Sequence, residues 1–205
     1  LYKASDMVKA DCGGCNGCSR CCHGMGNSII LDPYDVYRMT TGMGKSMQEL
    51  LAASVELNVV DGVILPNLKM QGTKEACAYL DEEGRCSIHP YRPGICRLFP
   101  LGRYYENGGF SYFLQTGECA KENRSKIKVS KWIDTPDLTR NQQFTLQWHD
   151  LLHAMEERLT GEDEGKQQEE NLLLLRLFYL LPYKGTTDFY SQFMERMEYW
   201  NEQIR

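Results

Sequence analysis

Residues 11–24 read DCGGCNGCSRCCHG and hold Cys12, Cys15, Cys18, Cys21 and Cys22, five of the nine cysteines in the chain. Thiols this dense oxidise or cross-link unless something holds them. A thiolate is a soft, anionic donor suited to zinc and to iron–sulfur clusters. Cys12, Cys15 and Cys18 are each separated by two residues, and Cys22 follows after three. That is the C-x₂-C-x₂-C-x₃-C spacing of bacterial ferredoxins, here followed by His23 rather than proline. Cys15, Cys18, Cys21 and Cys22 form an equally compact set, so spacing leaves the register open. A disulfide between the neighbours Cys21 and Cys22 is strained, and an odd total leaves one thiol over. The stretch therefore reads as a metal-binding cluster.

A second group is spread out: Cys77, Cys86, Cys96 and Cys119. The two groups together serve two four-thiolate sites, or one cluster with spare thiols. Cys12 is the least certain ligand among the nine cysteines. His23 and His89 remain available as nitrogen donors.

The chain has 205 residues, 42% hydrophobic and 25% charged, which fits one globular domain. A core of that size needs no cysteine staples. A net charge of −5 argues against a nucleic-acid partner. The most apolar run, NLLLLRLFYLL, is broken by Arg176, ends at Pro182 and falls short of the ~20 residues that cross a bilayer. LYKASDMVKA lacks the apolar core of a signal peptide. These features predict a cytoplasmic protein without a membrane span, and in that compartment a cysteine cluster reads as metal or redox chemistry.

Asp32-Pro33 predicts a helix start, and Ser46 with Glu49 a capping box for a second short helix. Asp61-Gly62 and Asn107-Gly108 predict two hairpins. A third is expected in ACAYLDEEGRCSIHP, with Cys77 and Cys86 near its strand ends, and a turn of helix in YRPGICRLF. Beyond Trp132 the pattern turns helical. Phe144, Trp148, Leu151, Leu152, Met155 and Leu159 share one face. GEDEGKQQEE reads as an acidic connector, Asn171 to Leu181 as a buried segment, and Phe189, Phe193, Met197 and Trp200 as a last amphipathic helix. The expected fold is α+β: a cysteine-rich metal-binding core of short hairpins and helices over residues 1–132. A helical region over residues 133–205 packs on it, the two making one compact domain.

CNGCSRCC at 15–22 and CAYLDEEGRCSIHPYRPGICRLFP at 77–100 together resemble the YkgJ, or CxxCxxCC, family of zinc- or iron-chelating cysteine-cluster proteins, which includes flagellin lysine N-methylases. The likeness runs over roughly residues 12–120 and maps the family cysteines onto Cys15, Cys18, Cys21, Cys22, Cys77, Cys86, Cys96 and Cys119. Cys12 falls outside it. It implies metal binding, with zinc or an iron–sulfur cluster (4Fe-4S) as cofactor. For the methylase branch it implies S-adenosylmethionine as methyl donor and a protein substrate or partner. No Rossmann glycine fingerprint accompanies it.

Arg92 and Arg97 flank Cys96. They read as offsetting the negative charge of a thiolate cluster, as holding a substrate carboxylate, or as a structural ion pair. Pro93 and Pro100 shape turns; Tyr79, Tyr91 and Phe99 read as an apolar shell. His149 and His153 stand at i, i+4 but HDLLH is not a zinc-protease motif, and they read as surface histidines. GMGKS at 42–46 reads as a helix linker, since it lacks the full phosphate-loop spacing.

Overall fold

Short capped helices and tight hairpins alternate along the first two-thirds of the computed structural model, which describes residues 1–13, 18–121 and 123–204. Strand β1 (Met7–Asp11) comes first. Helices α1 (Pro33–Met43) and α2 (Met47–Ala53) are followed by strands β2 (Val55–Val60), β3 (Val63–Leu68), β4 (Met70–Gln71) and β5 (Ala76–Cys77). Helix α3 (Gly94–Leu98), strands β6 (Leu101–Glu106), β7 (Gly109–Leu114) and β8 (Ser125–Lys128), and helix α4 (Val129–Ile133) complete this part. Three helices follow: α5 (Leu138–Leu159), α6 (Glu164–Leu175) and α7 (Phe189–Gln203). The fold is α+β with a helical C-terminal region. No helix among the described residues is long and apolar enough to cross a membrane.

Local chemistry sets these elements. Asp32 and Asp35 cap α1 reciprocally, with proline at its first position, and Ser46 and Glu49 do the same for α2. Asp61-Gly62 and Asn107-Gly108 hold positive φ and close β2–β3 and β6–β7 as two-residue hairpins. GMGKS spans the end of α1 and the bend into α2, with Gly44 left-handed just after α1.

Two readings are corrected. GEDEGKQQEE is no connector: Asp163 accepts hydrogen bonds from the amides of Gly165 and Lys166 and starts α6. Glu, Gln and Lys are good helix formers, and Arg158 grips Glu170 at 2.8 Å across the α5–α6 turn. The segment ACAYLDEEGRCSIHP forms no full hairpin. Ala76–Cys77 pairs with Met70–Gln71 instead, and only the bridge Leu80–Cys86 spans the DEEG turn. Asp81 accepts the Arg85 amide through its side chain at 2.7 Å, which folds the turn back on itself. The β1–β8 pair joins strands more than a hundred residues apart and carried no local signal.

The main core combines Leu31, Val36, Met39, Val55, Leu65 and Leu68 with Phe144, Trp148, Met155, Leu174, Phe178 and Trp200. Helical tail and hairpins thus share one apolar interior. Asn171 of α6 hooks onto the β2–β3 turn, accepting the Ile64 amide at 2.6 Å and donating to the Gly62 carbonyl at 3.2 Å. A smaller core holds Val8, Ala10, Leu98, Leu101, Tyr112, Val129 and Ile133. Phe178 is fully buried, 5.1 Å from Trp148 and 5.9 Å from Trp200 between ring centroids. Phe178→Ala is expected to remove about 3–5 kcal/mol of stability, read as a lower urea midpoint. A change under about 1 kcal/mol would mean that the tail does not share this core.

Candidate metal centre

Four segments carry cysteines to one place, each by a separate local device. Cys21 and Cys22 lie in a tight turn, Arg20–Cys22. The next residue, His23, bridges Ala76, and the Gly24 amide donates to the Glu75 carbonyl at 2.9 Å. The vicinal pair is thereby laid beside β5, which ends in Cys77. The Leu80–Cys86 bridge and the Ser87 amide bonded to the Tyr79 carbonyl at 2.8 Å return Cys86 toward Cys77. Cys96 arrives on α3.

Helix α3 lacks a cap of its own, since Pro93 at its start has no side chain to accept. Asp35, buried in the first turn of α1, supplies one: its Oδ1 accepts the Gly94 amide at 2.6 Å. The preceding turn, His89–Tyr91, lies on α1 because Gly42 has no side chain there. A Cβ at Gly42 would collide with the Tyr91 ring at 2.3 Å. The Arg38 guanidinium donates to the Pro90 carbonyl from the same helix. Helix α1 is thus the bench on which the Cys96 segment is mounted.

The result is a cavity of about 610 Å³ lined by Cys18, Cys21, Cys22, Cys77, Cys86 and Cys96. Its other lining residues include Met25, Ile29, Leu68, Tyr79, Ile88, Phe99, Leu101 and Trp132, so it lies where the two cores meet. Cys15 lies outside the described residues. Cys12 and Cys119 do not line the cavity, although their neighbours Gly13 and Glu118 do. Cys18, Cys21, Cys22, Cys77, Cys86, Cys96 and Cys119 carry thiols rather than disulfides. Among the described residues, no three His, Cys, Asp or Glu side chains already converge on a point that would hold one ion.

Electrostatics tie five of these thiols together. The Cys22 thiol's hydrogen bond to Cys21 pulls Cys21 down to about 7, against burial and with help from Arg92. The same bond, with burial, pushes Cys22 up. Burial raises Cys77 and Cys86, and raises Cys96 strongly, where the charge of Asp35 adds to it. Cys96 feels Cys21, Cys77 and Cys86, and Cys22 feels Cys21, Cys77 and Cys96. Thiols that resist ionising together are held as thiolates by a soft cation, whose charge reverses the penalty. The donor set and the cavity it lines fit a zinc or iron centre.

Residues 14–120, just over half of the chain, match the model of the CxxCxxCC family, described as a putative zinc- or iron-chelating domain. The chain belongs to this family. No curated protein and no solved structure matches it. The CxxCxxCC match ends at residue 120, before β8, so the helices that complete the main core lie beyond it.

The remaining singled-out residues divide by position. Arg92 lines the cavity, and its Nη1 lies 2.8 Å from His89 Nε2. Burial, then Arg92, lowers the His89 pKa, which leaves a neutral ring whose Nε2 accepts from the guanidinium. Arg97 turns away into the core. It is 5% exposed, donates to Thr135 Oγ1 at 3.2 Å, and lies 5.9 Å from the Tyr34 ring centroid. His23 Nδ1 faces the Lys74 carbonyl at 3.4 Å. His149 stacks on Tyr105 at 3.8 Å and, with His153, lies on the exposed face of α5 away from the cysteines. Asp35, Arg85 and Trp132 belong to the site or its support and were missed from sequence. Asp35 signals only the start of α1, and nothing local points to Gly94.

Proposed function

We propose that the cavity holds an iron–sulfur cluster and that the protein carries out redox chemistry with it. One observation carries this reading: Cys21, Cys22, Cys77, Cys86 and Cys96 line one cavity and sense one another's charge. Five thiols, with Cys18 beside them, exceed the four of a tetrahedral zinc site. They stand around a volume rather than closing on a point, which suits a centre with several metal atoms. Among the described residues the ligands are drawn from those five, with Cys18 in reserve. A bound cluster would supply one-electron transfer, or support methyl transfer to a protein substrate. The chain's own groups do the rest. Arg92 places a positive charge beside Cys21 and Cys86, which raises the reduction potential, and Ile29, Leu68, Ile88 and Leu101 keep water from the sulfurs.

Structural zinc is the second reading, since Cys21, Cys77, Cys86 and Cys96 alone make a four-thiolate set. Purification without oxygen, with iron, acid-labile sulfide and zinc measured per chain, decides between them. The expected result is brown protein with iron and sulfide in equal amounts. Colourless protein with one zinc per chain would replace the first reading by the second.

A further inference from the structure

The cavity is larger than a metal centre needs. A dry cavity of about 150 Å³ takes a benzene ring, and this one measures about 610 Å³. Sulfur ligands sit about 2.3 Å from a zinc ion, so an ion fills a small part of it. The apolar lining comes from buried groups of both cores: Ile29, Leu68 and Ile88 from one, Leu101 from the other. Two arginines, Arg85 and Arg92, also line the cavity, and neither is ion-paired among the described residues. Arg92 faces Cys21 and Cys86, and Arg85 adds a second positive side chain to the lining, in a chain of net charge −5. Among the described residues, Glu118 is the single carboxylate in the lining. Arg92 is pre-aimed: one Nη is tied to His89, which leaves its other N–H groups to donate.

We propose that the cavity binds a small organic anion beside the metal, its apolar body against Ile29, Ile88 and Leu101 and its carboxylate or sulfonate on Arg92. This deepens the metal-centre reading and rests on it: the thiols hold the metal, and Arg92 and the apolar lining serve metal and ligand together. Pockets of several hundred Å³, mostly apolar with a few convergent polar groups, are the usual form of small-molecule sites. A structural zinc knot has no use for such a space.

The test uses the metal-loaded chain and two probes of similar body: anilinonaphthalene sulfonate, which is anionic, and N-phenylnaphthylamine, which is neutral. The sulfonate is expected to bind saturably, one per chain, with a rise in fluorescence. Arg92→Gln should weaken it by about tenfold or more, Arg92→Lys by less, and neither should shift the neutral probe. Metal content and melting temperature are measured on each sample, so that a misfolded variant is recognised and Arg92→Lys carries the comparison. Non-saturable sulfonate binding, or equal affinity for wild type, Arg92→Gln and Arg92→Lys, overturns the proposal. Metal present without probe binding sinks the ligand site and leaves the metal centre standing. Probe binding at Arg92 in a chain that takes up no metal keeps the site and sinks the metal reading.

Discussion

Replacing Cys96 by alanine is expected to cost the protein its metal and, with it, the order of the cysteine-bearing part. Cys96 is the thiol whose charge is most strongly opposed by burial, and it senses Cys21, Cys77 and Cys86 at once. Metal bound by thiolates contributes on the order of 10 kcal/mol or more to small sites, and one lost ligand removes most of it. Metal per chain should fall below about a tenth of wild type, with a melting temperature lower by about 10 °C or more. Cys22→Ala should act alike. Cys119→Ala is the contrast, since Cys119 does not line the cavity, and it should retain most of its metal. Equal loss in Cys96→Ala and Cys119→Ala would mean that the ligand set is wider than the five thiols named. Full metal in Cys96→Ala would end the assignment.

The second large effect is expected far from any cysteine in sequence. Asp35 is 2% exposed. Its Oδ1 accepts the Gly94 amide at 2.6 Å and its Oδ2 the Asp32 amide at 3.2 Å. Burial pushes its carboxyl up, and the charge of Arg97 opposes that. Asp35→Ala removes the side-chain acceptor for the Gly94 amide at the start of α3 and takes away one of the two carboxylates, Asp32 and Asp35, that feel the charge of the buried Arg97. Breaking a buried charge arrangement from one side costs about 3–5 kcal/mol, roughly a 10 °C drop in melting temperature for a chain of this length. Asp35→Asn keeps an acceptor for Gly94 and should lose less. Metal uptake should weaken in both, in the same order, because α3 holds Cys96. A melting temperature within about 2 °C of wild type in Asp35→Ala would mean that α3 is held by other contacts.

Much of the fold was legible because its signals are local. Asp32-Pro33, Ser46 with Glu49, Asp61-Gly62 and Asn107-Gly108 each act over four residues or fewer, and each stands where it was read. The acidic stretch after Leu159 was misread because solvated Glu and Gln mark loops and helix surfaces equally. Only the cap at Asp163 and the Arg158–Glu170 pair select the helix. Arg92 and Arg97 were indistinguishable in sequence, each a few residues from Cys96. Arg92 stands in the non-helical link before α3 and Arg97 inside α3, and the first lines the cavity while the second is buried in the core.

By itself the sequence determined the chemistry of this protein: a soft-metal donor set in two groups, with the helical tail free of thiols. Side-chain type alone decides that, and family membership rests on the same residues. Only the tertiary structure decided which sulfurs share a space, that Asp35 supports the Cys96 helix, and that an apolar volume with Arg92 adjoins the thiols. Those facts depend on contacts between residues tens of positions apart, such as His23 with Ala76 and Asp35 with Gly94. Such contacts form because the two cores must close against each other, and no local pattern records them.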